Sequence, residues 1–190
     1  MSTHRILILD DRKTRQEQDL GNLMEHLEAF PNVILKTKIN ELHELEEYDI
    51  LAIHRTYAVN NQLINPIIEF IKRTNKYLIF FSGGIGEKRI DLKGHYLSLN
   101  SRVFYSQHLI DFIYDLPTSE EVYLLKIIYG TSNWKIPLLF RYRHLQWLMA
   151  SETNEDVKDL LLNEMDNIED MFPDETDDVN DAIQTQLMYL

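Results

Sequence analysis

Short, nearly continuous apolar runs alternate with helical patterns along this chain, and this order most constrains the fold. The runs at residues 5–9, 49–54 and 77–81 consist mainly of successive apolar residues, which is typical of strands buried on both faces. Apolar residues at helical spacing occur between them, over residues 14–30 and 61–75. The order predicts an α/β fold, with a parallel sheet covered by helices on both faces.

Two further runs complete the predicted sheet, at residues 33–38 and 96–99. One or two helical turns are predicted over residues 41–47 and a longer helix over residues 106–116. The segment between Gly84 and His95 is too short for a full crossover helix. Right-handed crossovers then predict a doubly wound sheet of five parallel strands, in the order 2-1-3-4-5.

After Pro117 the pattern is helical only, which predicts a small all-α C-terminal extension. A capping-box sequence, Thr118-Ser119-Glu120-Glu121, predicts a helix that ends at Gly130. A second helix is predicted over residues 136–150, and an acidic one from about residue 154 to a point before Pro173.

The net charge of −12 belongs to the last forty residues, because residues 151–190 hold 13 acidic side chains and one lysine. Residues 1–150 are neutral overall, which argues against a nucleic-acid-binding protein. The composition predicts three segments. These are a receiver-like domain over residues 1–116, a helical extension over residues 117–150, and an acidic helix and tail over residues 151–190.

The acidic segment also carries an apolar stripe at helical spacing. Its members are Val157, Leu161, Met165, Ile168 and Phe172. A purely solubilising tail has no need of such a stripe, so we expect a helix docked on its own domain or on a partner, which includes a second copy of the chain.

The sequence contains no cysteine, which excludes disulfides, cysteine-ligated zinc and a thiol nucleophile. Its longest apolar runs are too short for a membrane span or a secretory signal. These features predict a soluble cytoplasmic protein that does not bind a membrane.

Polar residues follow the predicted strands at the edge where doubly wound sheets bind their ligands. They are Asp10, Asp11, His54, Ser82 and Asn100. Two of these segments resemble the receiver domain of two-component response regulators. The matching sequences are Ile6-Leu7-Ile8-Leu9-Asp10-Asp11, for the family's acidic pair, and Phe80-Phe81-Ser82-Gly83, for its hydroxyl after the fourth strand.

The resemblance covers roughly residues 4–116 and implies a flavodoxin-like fold in a signalling protein. It also implies that two chemical groups of the family are missing. His54 stands where the family has its phosphoacceptor aspartate, and Asn100 stands where it has a lysine. Asp49 cannot replace the acceptor because it begins the same strand, about 16 Å away at ~3.3 Å per residue. The resemblance therefore implies a degenerate receiver with no catalytic residue and no cofactor, apart from weak Mg²⁺ binding at Asp10 and Asp11.

Three groups of residues allow more than one interpretation. His54 is typical of a structural histidine when no partner ligand is spaced near it, and phosphorylation or metal binding are its alternatives. Ser82, Gly83 and Gly84 form either a glycine-rich turn or a phosphate-binding loop. Residues 134–147 interleave basic and aromatic side chains, either as an ordinary helix or as a nucleic-acid surface.

The function these observations predict is a regulatory, phosphorylation-independent protein–protein interaction, with another protein or a second copy as the partner. Three alternatives remain. They are a small-molecule or nucleotide sensor that uses residues 82–86, a nucleic-acid-linked regulator that uses residues 134–147, and an enzyme of another doubly wound family. The last is the weakest alternative, because the sequence shows no nucleophile–base pair and no metal triad.

Overall fold

The structure is a computed structural model that describes residues 4–11, 23–86, 89–91, 95–119, 121–132 and 134–169. The chain divides into two compact units, residues 1–131 and residues 132–190. None of the helices in the described ranges is long and apolar enough to cross a membrane.

The first unit is built on a six-stranded sheet. Its strands are β1 (Ile6–Leu9), β2 (Val33–Lys36), β3 (Ile50–His54), β4 (Tyr77–Phe81), β5 (Arg89–Asp91) and β6 (Tyr96–Leu99). The strand order is β2-β1-β3-β4-β6-β5, and every pair is parallel except β5 with β6. With β6 counted as the fifth parallel strand, the predicted order 2-1-3-4-5 is confirmed.

Helices connect these strands and follow the last of them. They are α1 (Leu23–Glu28), α2 (Arg55–Asn60), α3 (Ile64–Thr74), α4 (Ser101–Phe104), α5 (Gln107–Asp115) and α6 (Lys126–Tyr129), with 3₁₀ turns at Leu42–Glu47 and Leu116–Thr118. Residues 12–22, the first part of the predicted helix over 14–30, lie outside the described residues. The helix predicted over residues 61–75 begins at Ile64. No helix was predicted over Arg55–Asn60, the residues of α2.

Continuous apolar strands form here because both faces of the sheet are covered. Leu7, Leu51 and Leu78 are aligned in register across β1, β3 and β4, and all three are fully buried. Ile67 and Ile71 of α3 belong to the same core cluster. Burial of an aliphatic side chain of this size contributes about 1.5–3 kcal/mol, so the leucine row and the helix that covers it stabilise the centre of the sheet.

The connection from β4 to β6 contains a short edge strand instead of a helix. β5 pairs antiparallel with β6, with Ile90 opposite Leu97. No crossover helix is present among the described residues of this connection, 82–86, 89–91 and 95, as its length predicted.

The capping-box prediction was wrong, because the described residues that precede Lys126, 121–125, are not helical. Thr118 Oγ1 and Ser119 Oγ donate hydrogen bonds to the carbonyl oxygen of Asp115, at 2.9 and 3.1 Å. The two hydroxyls thus close the end of the preceding helix, and α6 begins only at Lys126. Gly130 ends α6 as predicted, at a φ of 80° that favours glycine.

The second unit contains two packed helices, α7 (Lys135–Ser151) and α8 (Glu155–Glu169). The predicted stripe on α8 is half-buried at Val157, Leu161 and Met165 and buried at Ile168. Acidic positions on the opposite side of α8 are exposed. They include Asp156, Asp159 and Asp166. The predicted acidic helix is therefore present and packs on α7, while Phe172 lies outside the described residues.

Polar contacts also join α7 to α8. Arg141 donates two hydrogen bonds to the Glu164 carboxylate, at 2.7 and 2.9 Å, and the Tyr142 hydroxyl donates one to Glu169. The Arg141–Glu164 pair is solvent-exposed and contributes at most about 1 kcal/mol. The apolar stripe is therefore the larger source of helix–helix stability.

A charged contact ties the end of β2 to the first 3₁₀ turn and makes stability depend on pH. The Glu44 carboxylate accepts a hydrogen bond from Lys36 Nζ at 2.9 Å and others from the backbone N–H groups of Asn40 and Glu41. These donors, with Lys36 first, lower the pKa of Glu44 to about 2.

We expect the Glu44 carboxylate to show a titration midpoint near 2 by ¹³C NMR. Because its pKa is lower when the protein is folded, its stabilising effect is complete above its ordinary pKa of 4.5 and is lost as the pH falls towards 2. Glu44→Gln should therefore be less stable than the wild type at neutral pH, and the difference in stability should narrow below about pH 4.5 and vanish near pH 2. Glu46→Gln, at an exposed position of the same turn, is the control. A midpoint of Glu44 near 4.5 would contradict the contact.

Candidate functional site

The carboxyl edge of the parallel sheet brings three potential metal ligands together. Asp10 and Asp11 follow β1, and His54 is the last residue of the neighbouring strand β3. One ligand atom from each side chain lies within 4.8 Å of the other two, and His54 Nδ1 is 3.9 Å from Asp11 Oδ1. The side chains of Asp10 and His54 are fully buried, whereas Asp11 is exposed and opens the cluster to solvent.

The backbone explains why these side chains converge. The Asp10 N–H continues the β1–β2 ladder by donating to the carbonyl oxygen of Lys36 at 3.0 Å. Asp49 lies at the other end of β3, where it accepts a hydrogen bond from the Arg5 backbone at 2.8 Å. Asp49 is therefore remote from the cluster, as the strand length predicted.

A tyrosine that sequence reasoning missed completes the polar part of the site. The Tyr105 hydroxyl donates a hydrogen bond to Asp10 Oδ2 at 3.0 Å, in a buried setting. Tyr105 follows the short helix α4, and this helix begins shortly after the carboxyl end of β6. A buried carboxylate requires hydrogen-bond donors, and this hydroxyl supplies one.

Aromatic rings form the apolar wall of the site. The Phe81 ring meets His54 edge-on, with 5.4 Å between ring centroids, and it meets Tyr105 edge-on at 5.2 Å. Phe104 stacks on the other side of Phe81 at 4.3 Å. Edge-to-face and offset-stacked aromatic pairs are favourable geometries, so Phe81 holds both His54 and Tyr105 in place.

Asn100, the residue directly before α4, has a structural role in the glycine-rich segment of residues 82–86. Its amide nitrogen donates to the carbonyl oxygens of Gly83 and Ile85, both at 3.1 Å. Its side-chain oxygen accepts a hydrogen bond from the N–H of Arg102 and begins α4. Asn100 therefore fixes the loop after β4 and supplies no positive charge.

The glycine-rich segment already uses backbone donors that a bound phosphate would need. The Gly84 N–H points to Ser82 Oγ at 3.4 Å, and the Ile85 N–H donates to the carbonyl oxygen of Ser82 at 3.2 Å. A Cβ atom at Gly84 or Gly86 would meet no atom within 4 Å. These contacts favour a plain turn, and the phosphate-loop hypothesis for Ser82, Gly83 and Gly84 stays a prediction.

The basic–aromatic segment of residues 134–147 is divided between the interior and the surface. Trp134 and Tyr142 are buried. Phe140 and Trp147 are 60% and 66% exposed, on the side of α7 opposite its buried residues, and His144 stacks near Trp147 at 5.9 Å. We define the exposed aromatic face of α7 as Phe140, Arg143, His144 and Trp147, all of which are solvent-exposed.

Comparisons with protein families, with curated proteins and with solved structures find no match to this chain. The strand order and the Asp10–Asp11 cluster are compatible with a receiver-like fold.

Proposed function

We propose that the α/β unit is a pseudo-receiver, a regulatory interaction domain that works without aspartyl phosphorylation. The observation that carries this proposal is the buried His54 beside Asp10 and Asp11, at the position of the receiver acceptor. An imidazole cannot form an acyl phosphate. The geometry at Asn100 adds a second reason, because its amide ties the loop after β4 and provides no ammonium group for a transferred phosphoryl group.

Protein binding is the function that we propose for the chain. The exposed aromatic face of α7, in the second unit, supports it, because large aromatic side chains with neighbouring arginine are enriched in protein interfaces. Signalling is the biological role we propose on the basis of the receiver resemblance. A homodimer is the simplest form of the interaction.

The phosphorylation prediction can be tested directly on the full chain. Incubation with acetyl phosphate and Mg²⁺ should add no phosphoryl group to the wild-type protein, as measured by intact mass and by radiolabel. The matched variant is His54→Asp combined with Asn100→Lys, which restores both missing groups and should gain a hydroxylamine-labile phosphate. A hydroxylamine-labile phosphate on an aspartate of the wild type would contradict the proposal.

Native mass spectrometry of the purified full chain tests the interaction role. We expect a second copy or a protein partner to be retained, and to be lost from a Phe140→Ser/Trp147→Ser variant that circular dichroism shows to be folded. A retained small molecule with no protein partner would favour the sensor alternative instead. A bare monomer that behaves like the double variant would contradict the interaction role.

A further inference from the structure

The three converging side chains at the carboxyl edge, Asp10, Asp11 and His54, are potential metal ligands that the proposed function does not use. Asp10 and Asp11 would suit a magnesium ion, which prefers oxygen ligands and keeps several of its waters. His54 does not suit that ion, because imidazole is a ligand of zinc, copper, iron and nickel. The replacement of a carboxylate by an imidazole at this position thus changes which ion the cluster fits.

We infer that Asp10, Asp11 and His54 form a binding site for a divalent transition-metal ion, of which Zn²⁺ is the best-fitting probe. Two carboxylates balance the charge of a divalent ion, and the imidazole adds the nitrogen ligand that selects against Mg²⁺. This inference is independent of whether the domain binds a protein partner.

The distances are close to those that such an ion requires. Ligands at about 2.0–2.2 Å from one zinc ion lie about 3.3–3.6 Å from one another in tetrahedral geometry. The 3.9 Å from His54 Nδ1 to Asp11 Oδ1, and the 4.8 Å limit for the whole cluster, call for a contraction of about 1.5 Å at most. Asp11 can supply part of this movement because its side chain is exposed.

Neighbouring residues orient the two buried ligands. The Tyr105 hydroxyl donates a hydrogen bond to Asp10 Oδ2 at 3.0 Å and so fixes the orientation of this carboxylate. The Phe81 and His54 rings form an edge-to-face contact, which fixes the orientation of the imidazole. Hydrogen-bonded outer residues of this kind typically change metal affinity 10–100-fold, and Tyr105 is therefore a positioning residue of the site. The described residues supply three ligands, and a tetrahedral ion with three protein ligands takes a water molecule or a small ligand at its fourth position.

The experiment is a titration of the metal-free, untagged full chain with Zn²⁺, in which binding is measured by isothermal titration calorimetry. Co²⁺ serves as a spectroscopic probe, because its visible absorption reports nitrogen and oxygen ligands in a low-coordinate site. We expect one equivalent to bind, and Asp11→Asn to weaken binding at least about 10-fold. Since Asp11 is exposed, this isosteric variant should fold even if His54→Ala does not. Tyr105→Phe should weaken binding with the Co²⁺ spectrum retained, since it removes no ligand.

Two further variants separate this site from adventitious binding. His43→Ala removes an exposed histidine whose Nδ1 lies 3.0 Å from the Glu41 carboxylate, which is the other close His–acid pair among the described residues, and it should leave Zn²⁺ binding unchanged. His54→Asp should lower the affinity for Zn²⁺ and raise the affinity for Mg²⁺. The inference is overturned if the wild type binds neither Zn²⁺ nor Co²⁺. It is also overturned if Asp11→Asn binds Zn²⁺ as tightly as the wild type, or if His43→Ala abolishes binding.

Discussion

Phe81→Ala is expected to lower the free energy of unfolding of the α/β unit by about 3–5 kcal/mol, the usual cost of truncating a buried phenylalanine. Phe81 is fully buried at the end of β4 and contacts the rings of His54, Phe104 and Tyr105. Removal of the ring leaves a cavity between the side chains of His54, Phe104 and Tyr105. These side chains cannot all move to fill it, because His54 is the last residue of β3 and Phe104 is the last residue of α4. Urea unfolding of the full chain, followed by circular dichroism, gives the measurement.

A matched control is Val59→Ala on α2, where the side chain is 54% exposed and the loss should stay within about 0.5 kcal/mol. The Phe81 variant should also weaken Zn²⁺ binding, because His54 loses the ring that orients it. A loss below 1 kcal/mol would show that the aromatic wall is not a rigid part of the core. Retained stability together with weakened metal binding would instead restrict the role of Phe81 to the site.

The sheet could be predicted because its information is local. Strands of a parallel sheet are apolar at successive positions, so β1, β3 and β4 stand out as short runs without any knowledge of their partners. Chain connectivity and crossover handedness then leave few strand orders. The edge strand β5 has only three residues and pairs antiparallel, and neither its length nor its composition separates it from a loop.

The proximity of side chains at strand ends could be predicted from the sequence, whereas a long-range side-chain contact could not. The ends of β1 and β3 bring Asp10, Asp11 and His54 to the same edge, and parallel pairing makes that outcome necessary. Tyr105 is 95 residues from its partner Asp10, and no spacing rule connects the two. His54 was interpreted as a residue without a partner ligand because the two aspartates lie more than forty positions earlier in the chain.

Hydroxyl residues near a helix end explain the wrong prediction at residues 118–129. Serine and threonine bind backbone groups on either side, so the same short sequence can cap a following helix or close a preceding one. Asp115 decides the outcome, because its carbonyl oxygen accepts from Thr118 and Ser119, and Lys126 Nζ bonds to its carboxylate. The Lys126–Asp115 contact depends on tertiary structure, and a local sequence pattern does not encode the position of Lys126 beside Asp115.

Ile168→Ala is expected to destabilise the second unit by about 2 kcal/mol or more, because Ile168 is the most buried member of the stripe on α8 at 4% exposure. The other members are half-buried, so the helix depends on a few apolar contacts together with the contacts to Arg141 and Tyr142. Hydrogen exchange gives the measurement. Amides of residues 155–169 should be protected in the wild type and should exchange faster in the variant.

Leu160 provides a control on the same helix, since its side chain is 69% exposed and Leu160→Ala should change stability by less than about 0.5 kcal/mol. Both variants remove apolar atoms from the same acidic helix, and they differ mainly in what those atoms contact. Equal effects of the two substitutions would mean that α8 is held by helix propensity alone. Rapid exchange throughout α8 in the wild type would mean that the helix does not dock, and the acidic segment would then act as a solvated tail. Protection that is lost only with Ile168→Ala would show that the acidic helix is held on α7 by its apolar stripe, with its charged side left for solvent or a partner.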